Sequence, residues 1–237
     1  MLYTYLQRTR LLLADMNFVK VNDYDLVDYI NQARLQVAGQ GRCIRQYTSL
    51  LLAQGTIEYP FSAVGTFEPG VRGIYHIRQA WVQIPGVTGL RLLYARPFEW
   101  FALYELNNLA PQQGQPKRWA QLGQGVNGSI FLAPLPDLPY TLFLDALGVP
   151  GPLVNDTTAE PIPDLWTLPV PFYAAWYALQ TALQYDAADK MKQNFLEQMA
   201  LARAAATPDL QMENWSQATD PEQANRLAVQ PAGRMAA

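Results

Sequence analysis

The residues of this chain that could do chemistry are few and far apart. His76 is its only histidine and sits in Ile74-Tyr-His-Ile-Arg78, a stretch that reads as a β-strand. A serine or cysteine relay needs nucleophile, base and orienting carboxylate within hydrogen-bond reach of one another. No second histidine exists and no serine or cysteine lies near His76, so it reads as a structural histidine, with Tyr75 and Ile77 on the opposite face of the strand. Gly123-Gln-Gly-Val-Asn-Gly128 matches the dinucleotide fingerprint letter for letter. That motif works only where a strand precedes it and a helix follows, whose N-terminus holds the pyrophosphate. Here Ser129-Ile-Phe-Leu-Ala-Pro134 follows, which reads as a strand, so the glycines predict a hairpin turn. Asp23, Asp25 and Asp28 have the look of metal ligands, but capping and the helix dipole explain acids at a helix start better. Asp137 is a candidate for one of a pair of glycosidase carboxylates; within Pro134-Leu-Pro-Asp-Leu-Pro139 it reads as a turn residue capping its own backbone. Trp81, Trp100 and Trp119 are of the type that stacks on sugar rings, and such residues more often fill a β core. Cys43 is the single cysteine, which excludes an intrachain disulfide and a cysteine zinc site and reads as a small buried apolar residue. These residues predict no catalytic set, no metal and no cofactor.

Composition narrows the classes further. Half the residues are apolar and 16% are charged, so most of the 237-residue chain folds, as one large domain or two small ones. Nine prolines between Pro134 and Pro171 keep that region from being a helical bundle. Residues 1–133 carry a balance of +4 and residues 134–237 a balance of −7. No clustered basic stretch accompanies the positive half, which argues against sequence-specific DNA reading. The longest early apolar run, Leu11-Leu-Leu-Ala14, is too short for a signal segment, and no run approaches 18 apolar residues, so a soluble chain with no membrane partner is expected.

The elements that must position anything functional fall in three blocks. Residues 3–15 suit a short helix with Leu6, Leu12 and Leu13 inward. A second helix starts at Asn22 or Asp23, buries Leu26, Tyr29, Ile30, Ala33, Leu35 and Val37, and stops at Gly39 and Gly41. The period then changes. Tyr47–Ala53 and Thr56–Pro60 read as strands around Gln54-Gly55; Ile74–Ile84, Leu90–Tyr94, Trp119–Leu122, Ser129–Ala133 and Tyr140–Leu147 continue the pattern, with a short helix opened by Pro97. Short strands at this spacing predict a small sandwich or barrel at about residues 45–150. Asp156–Asp164 is a proline-rich connector. From Phe172 to Ala206 no proline or glycine intervenes, and apolar residues recur at Phe172, Trp176, Leu179, Leu183, Ala187, Met191, Phe195 and Met199. That predicts one helix of about 50 Å. Residues 207–237 have no sustained period and one aromatic, Trp215, and read as an extended arm. The fold class is α+β: N-terminal helices (1–44) and a long C-terminal helix (160–206) form one bundle around an inserted β-rich domain (45–159), followed by the arm (207–237).

The order of these parts resembles a known family. Asp25-Leu-Val-Asp-Tyr-Ile-Asn-Gln-Ala-Arg34 on an early helix is followed by Ala53-Gln-Gly-Thr-Ile-Glu-Tyr-Pro60, then Gly128-Ser-Ile-Phe-Leu-Ala-Pro-Leu-Pro-Asp137 and Tyr140-Thr-Leu142. Ile162-Pro-Asp164 then leads to a helix with Ala174-Ala-Trp-Tyr-Ala-Leu179. Over about residues 20–205 this is similar to the head-to-tail adaptor (connector, neck) proteins of tailed bacteriophages, of the short-tailed, podovirus type. The resemblance implies a structural virion protein and no enzyme, forming a ring, usually dodecameric, between the portal protein and the tail nozzle or tube. It implies genomic DNA passing non-specifically through the channel, assembly in the host cytoplasm, and an arm that reaches along the portal; docking of that arm is expected to bury Trp215 and Leu227. The β-rich region leaves an alternative from another class: a carbohydrate-active enzyme, or a glycan- or receptor-binding module with an exposed aromatic platform.

Overall fold

The computed structural model of the protein describes residues 1–15, 21–65, 67–107 and 112–206. Met1–Met199 packs as one unit and Ala200–Ala237 is a second, of which the end of a helix is described. The α+β class holds: helices and two β-sheets are both present. Strand β1 (Arg45–Leu51) alternates strictly, with Gln46, Thr48 and Leu50 buried and Tyr47, Ser49 and Leu51 exposed. It pairs antiparallel with β8 (Thr141–Pro150), which pairs with the central β3 (Val71–Gln83), edged by β4 (Leu90–Leu92). The second sheet runs β2 (Glu58–Pro60), β7 (Ser129–Ala133), β6 (Arg118–Leu122), β5 (Tyr94–Ala95). Between the sheets lie Leu52, Phe61, Ile74, Ile77, Val82, Trp119, Ile130, Leu132, Leu142 and Leu144. Their burial supplies the main stabilisation of the sandwich, at about 25 cal/mol per Å² of apolar surface.

Three local expectations are refined here. The strands flanking Gln54-Gly55 exist but do not pair with each other: β1 and β2 belong to different sheets. The turn is a corner, because Leu52 and Tyr59 must both reach the core, and only a change of sheet lets each do so. The segment after Pro97 forms α3 (Phe98–Phe101) and continues as a π-helical turn, Ala102–Leu106. It covers the outer side of the second sheet through Phe101, Ala120, Phe131 and Ala133, so every residue of β7 is buried. Gly123–Gly128 closes the β6–β7 hairpin, pairing Leu122 with Ser129, with Gly123 and Gly125 at φ 75° and 69°. The hairpin prediction holds.

The N-terminal helices are α1 (Leu2–Leu13) and α2 (Asp23–Gly41). Asn22 caps α2 as expected, its side-chain oxygen accepting from the Asp25 amide at 2.7 Å. The inward face of α1 is Leu2, Tyr5, Thr9, Arg10 and Leu13, leaving Leu6 and Leu12 half-buried, and on α2 Leu35 is exposed. Glycine does not end α2. Arg42 does, in the left-handed region at φ 49°. Gly41 serves a different purpose, since a Cβ there would stand 2.5 Å from the ring of Trp166.

The single long C-terminal helix is corrected to two. After α4 (Asp164–Thr167), α5 spans Val170–Thr181 and α6 spans Tyr185–Ala205. At the break the Gln184 amide donates to the Leu179 carbonyl and the Leu183 amide to the Gln180 carbonyl, with Leu183 at φ 58°. This is a Schellman closure with leucine where glycine is usual. The chain then turns back: Phe195 meets Tyr173 at 5.1 Å and the Lys192 ammonium lies 5.5 Å over Trp176. A straight helix would leave Tyr173, Trp176 and Phe195 in water. Their mutual burial outweighs helix continuity, which is why no local breaker is needed. α5 packs on both α1 and α2 with its small residues, Ala174, Ala175 and Ala178, all buried. The N-terminal helices and α5 therefore close on each other, and α2 also meets β8.

Cys43 follows α2, and burial pushes its thiol up to about 12. At pH 8 the native chain should alkylate with iodoacetamide about a thousandfold more slowly than the urea-unfolded chain, as the thiolate is the nucleophile. Cys43 is half-buried rather than fully buried, and equal rates would contradict the raised thiol.

Candidate functional site

The proline-rich connector between β8 and α4 is the point where every block meets. Arg34 on α2 is fully buried, and its Nε and Nη2 donate to the two carboxylate oxygens of Glu160, each at 2.9 Å. Its Nη1 donates to the carbonyl of Gly151 at 2.6 Å and to the Asn31 side-chain oxygen at 3.1 Å. That oxygen also accepts from the Leu153 amide at 2.8 Å, while the Asn31 amide group donates to the Leu153 carbonyl at 3.2 Å. Such planar two-point pairing suits guanidinium geometry and compensates the burial of both charges. The Gly151 amide donates to Gly70 at 2.6 Å, linking the same segment to the sandwich. Asp156 accepts from the Tyr3 amide at 2.7 Å, and this bond holds its carboxyl below the usual range. Tyr5, on the buried face of α1, has its phenol pushed up by burial and by the Glu160 carboxylate. A second buried guanidinium, Arg10, pairs with Asp15 at 3.2 Å and with Asp23, and donates to the Val21 carbonyl at 3.2 Å, fixing the α1–α2 turn.

The residues singled out in the sequence do not converge. His76 is exposed, beside register shifts in β3 that break the expected alternation: Tyr75 is exposed with it and only Ile77 turns inward. Gln121 of β6 fills that irregularity, accepting from the Ile77 amide at 2.8 Å and donating to the Tyr75 carbonyl at 3.1 Å. His76 lines an open depression of about 720 Å³ with Arg96, Phe98, Trp119 and Gln121, whose lining includes no carboxylate, serine or cysteine. Asp137, in the turn before β8, accepts from the Tyr140 hydroxyl. Burial and that carboxylate push the Tyr140 phenol up to about 12. Asp23 pairs with Arg10, and no group of His, Cys, Asp or Glu among the described residues could hold a metal ion. Trp215 and Leu227 lie outside the described residues.

The three tryptophans part company. Trp119 is buried in the sandwich core. Trp81 lies on the outer face of the first sheet with Tyr47 at 6.2 Å, and Tyr47 stacks on Phe143 at 6.0 Å. Beside them the Arg45 guanidinium clasps Asp145 at 2.9 and 3.0 Å. Trp100 stands on α3 with the guanidinium groups of Arg96 and Arg118 at 5.3 and 5.6 Å from its ring. No described helix is long and apolar enough to cross a membrane. No curated protein matches the chain. A family model described as SU10 adaptor protein matches residues 2–226, taking in the helical ends, the sandwich and the connector that joins them. The chain belongs to the SU10 adaptor protein family, a family of structural bacteriophage adaptors.

Proposed function

We propose that the protein is a head-to-tail adaptor of a short-tailed phage, forming a ring, dodecameric in the resembling family, between the portal protein and the tail nozzle or tube. The observation that carries the reading is the connector clamp: Arg34, Glu160, Gly151 and Gly70 tie helices to sandwich, so a load on one part is transmitted to the other. The family match over residues 2–226 supplies the adaptor role. In this reading residues 1–44 and 160–206 make the ring body, residues 45–159 face neighbouring tail components, and genomic DNA passes through the channel without sequence-specific contact. The virion is its destination and the host cytoplasm its place of assembly. Residues 207–237 form the arm that reaches the portal, with Trp215 and Leu227 as its apolar anchors.

Co-sedimentation of the purified chain with the portal protein tests this. Binding is expected for the full chain, with a loss of about tenfold or more on Trp215→Ala or Leu227→Ala. Undiminished binding of a chain ending at Ala206 would overturn the arm assignment. The outer-face aromatic cluster of exposed Tyr47 with half-buried Trp81 and Phe143 favours a second reading, a glycan-binding module. Binding to wall or capsule polysaccharide, lost on Trp81→Ala, is what that reading requires.

A further inference from the structure

We infer that Asn127 is a site of spontaneous deamidation, through which the β6–β7 hairpin acquires aspartate and isoaspartate as the chain ages. The glycine run that closes this hairpin contains Asn127-Gly128, the one Asn-Gly pair in the chain. Deamidation at such a pair is an intramolecular acyl transfer. The Gly128 amide nitrogen, deprotonated by hydroxide, attacks the side-chain carbonyl carbon of Asn127. The new C–N bond closes a five-membered succinimide, and ammonia leaves, taking its third proton from water. Water then opens the ring at either carbonyl, giving aspartate or isoaspartate. Nothing is oxidised or reduced, and water is the co-reactant. Glycine on the C-terminal side has no Cβ to obstruct the approach of its nitrogen.

The fold leaves this asparagine free and restrains the others. Asn127 is exposed, and among the described residues none holds its side chain by a hydrogen bond. Asn22 exchanges hydrogen bonds with Asp25 at 2.7 Å, and the Asn31 oxygen accepts from Arg34 at 3.1 Å and from the Leu153 amide at 2.8 Å. The Asn155 oxygen accepts from the Thr157 and Thr158 amides at 3.1 and 3.0 Å. A carbonyl engaged in that way must give up its donors before a backbone nitrogen can reach it. Asn194 lies within α6, where helical hydrogen bonding fixes the next amide, and Asn107 is followed by a second asparagine, whose Cβ crowds the attack. The hairpin has little room for the product. Isoaspartate carries the chain through the former side chain and lengthens the backbone by a methylene. The Gly128 carbonyl accepts from the Phe61 amide at 2.8 Å, and a Cβ on Gly128 would stand 2.5 Å from the Phe61 ring. Earlier in the turn the Gly125 amide donates to the Ile74 carbonyl at 2.7 Å, bracketing the hairpin to β3 of the other sheet. The extra methylene falls between these two anchors, so one of them must shift.

Peptide mapping by mass spectrometry of the full chain, stored warm at mildly alkaline pH, tests the site. Asn127 is expected to lose its amide about tenfold faster than any other described asparagine, with isoaspartate among the products. The aged chain should unfold about 2–4 °C below the fresh one. Asn127→Gln would have to close a less favourable six-membered ring, so it should keep both its amide and its Tm over the same storage. Asn127→Asp introduces the charge without lengthening the backbone, and when fresh it should match wild type within about 1 °C. An Asn127 that ages no faster than Asn155, or an Asn127→Gln chain that loses Tm as wild type does, would overturn the site. A chain carrying isoaspartate at this position with unchanged Tm would overturn the strain assigned to the product.

Discussion

Arg34→Ala is expected to cost about 3–5 kcal/mol of folding stability. Arg34 and Glu160 are both buried, so removing the cation leaves Glu160 a charge with the Ile162 amide as its remaining named donor. It also strips the Gly151 carbonyl of its guanidinium donor, which adds to the penalty, while the Asn31 oxygen keeps the Leu153 amide. Glu160→Gln should be less damaging than Arg34→Ala, because an amide still accepts one of the two guanidinium bonds. The double variant Arg34→Met/Glu160→Leu should sit closer to wild type than Arg34→Ala, since a buried pair replaced by apolar groups avoids the lone charge. Urea unfolding of the four chains measures this. A loss below about 1 kcal/mol for Arg34→Ala would mean that the connector does not hold the helices to the sandwich.

Gly70→Ala should be the most damaging addition of a single methyl. Gly70 sits at φ 87°, where an L side chain costs about 1–2 kcal/mol. A Cβ there would stand 2.5 Å from the Ala159 carbonyl oxygen, which is backbone and cannot swing aside. Forcing the connector away adds about 1–3 kcal/mol and stretches the Gly151-to-Gly70 hydrogen bond. Gly86 is the control: φ is 76° there and nothing lies within 4 Å, so Gly86→Ala should cost only the conformational part, about 1–2 kcal/mol. The difference between the two urea midpoints isolates the clash. Equal losses would show that the connector gives way freely at that point.

How much of this could be read from residue order varies with the range of the interaction. Local features were legible: the Asn22 cap and the β6–β7 hairpin at Gly123–Gly128 each depend on neighbours within a few residues. The break at Leu183 was not, because nothing local forbids helix there; the reversal follows from Tyr173 and Trp176 finding Phe195 and Lys192. The sheet change between β1 and β2 likewise depends on where Leu52 and Tyr59 must go. The connector was the costliest omission. Its prolines suggest a passive linker, yet Asn31 and Arg34 find partners there more than a hundred residues away. One signal did exist: Arg34 falls on the apolar stripe of α2, with Ile30, Ala33 and Val37, and a guanidinium on a buried face requires a buried acid. The identity of that acid is written only in the folded chain.

The most direct test of the adaptor assignment is electron microscopy of the purified chain mixed with the portal protein. The account predicts a closed ring of this chain seated coaxially on the portal, with the helical body of each copy touching the next. Single copies scattered on the portal, or a free chain that leaves the portal bare, would contradict it.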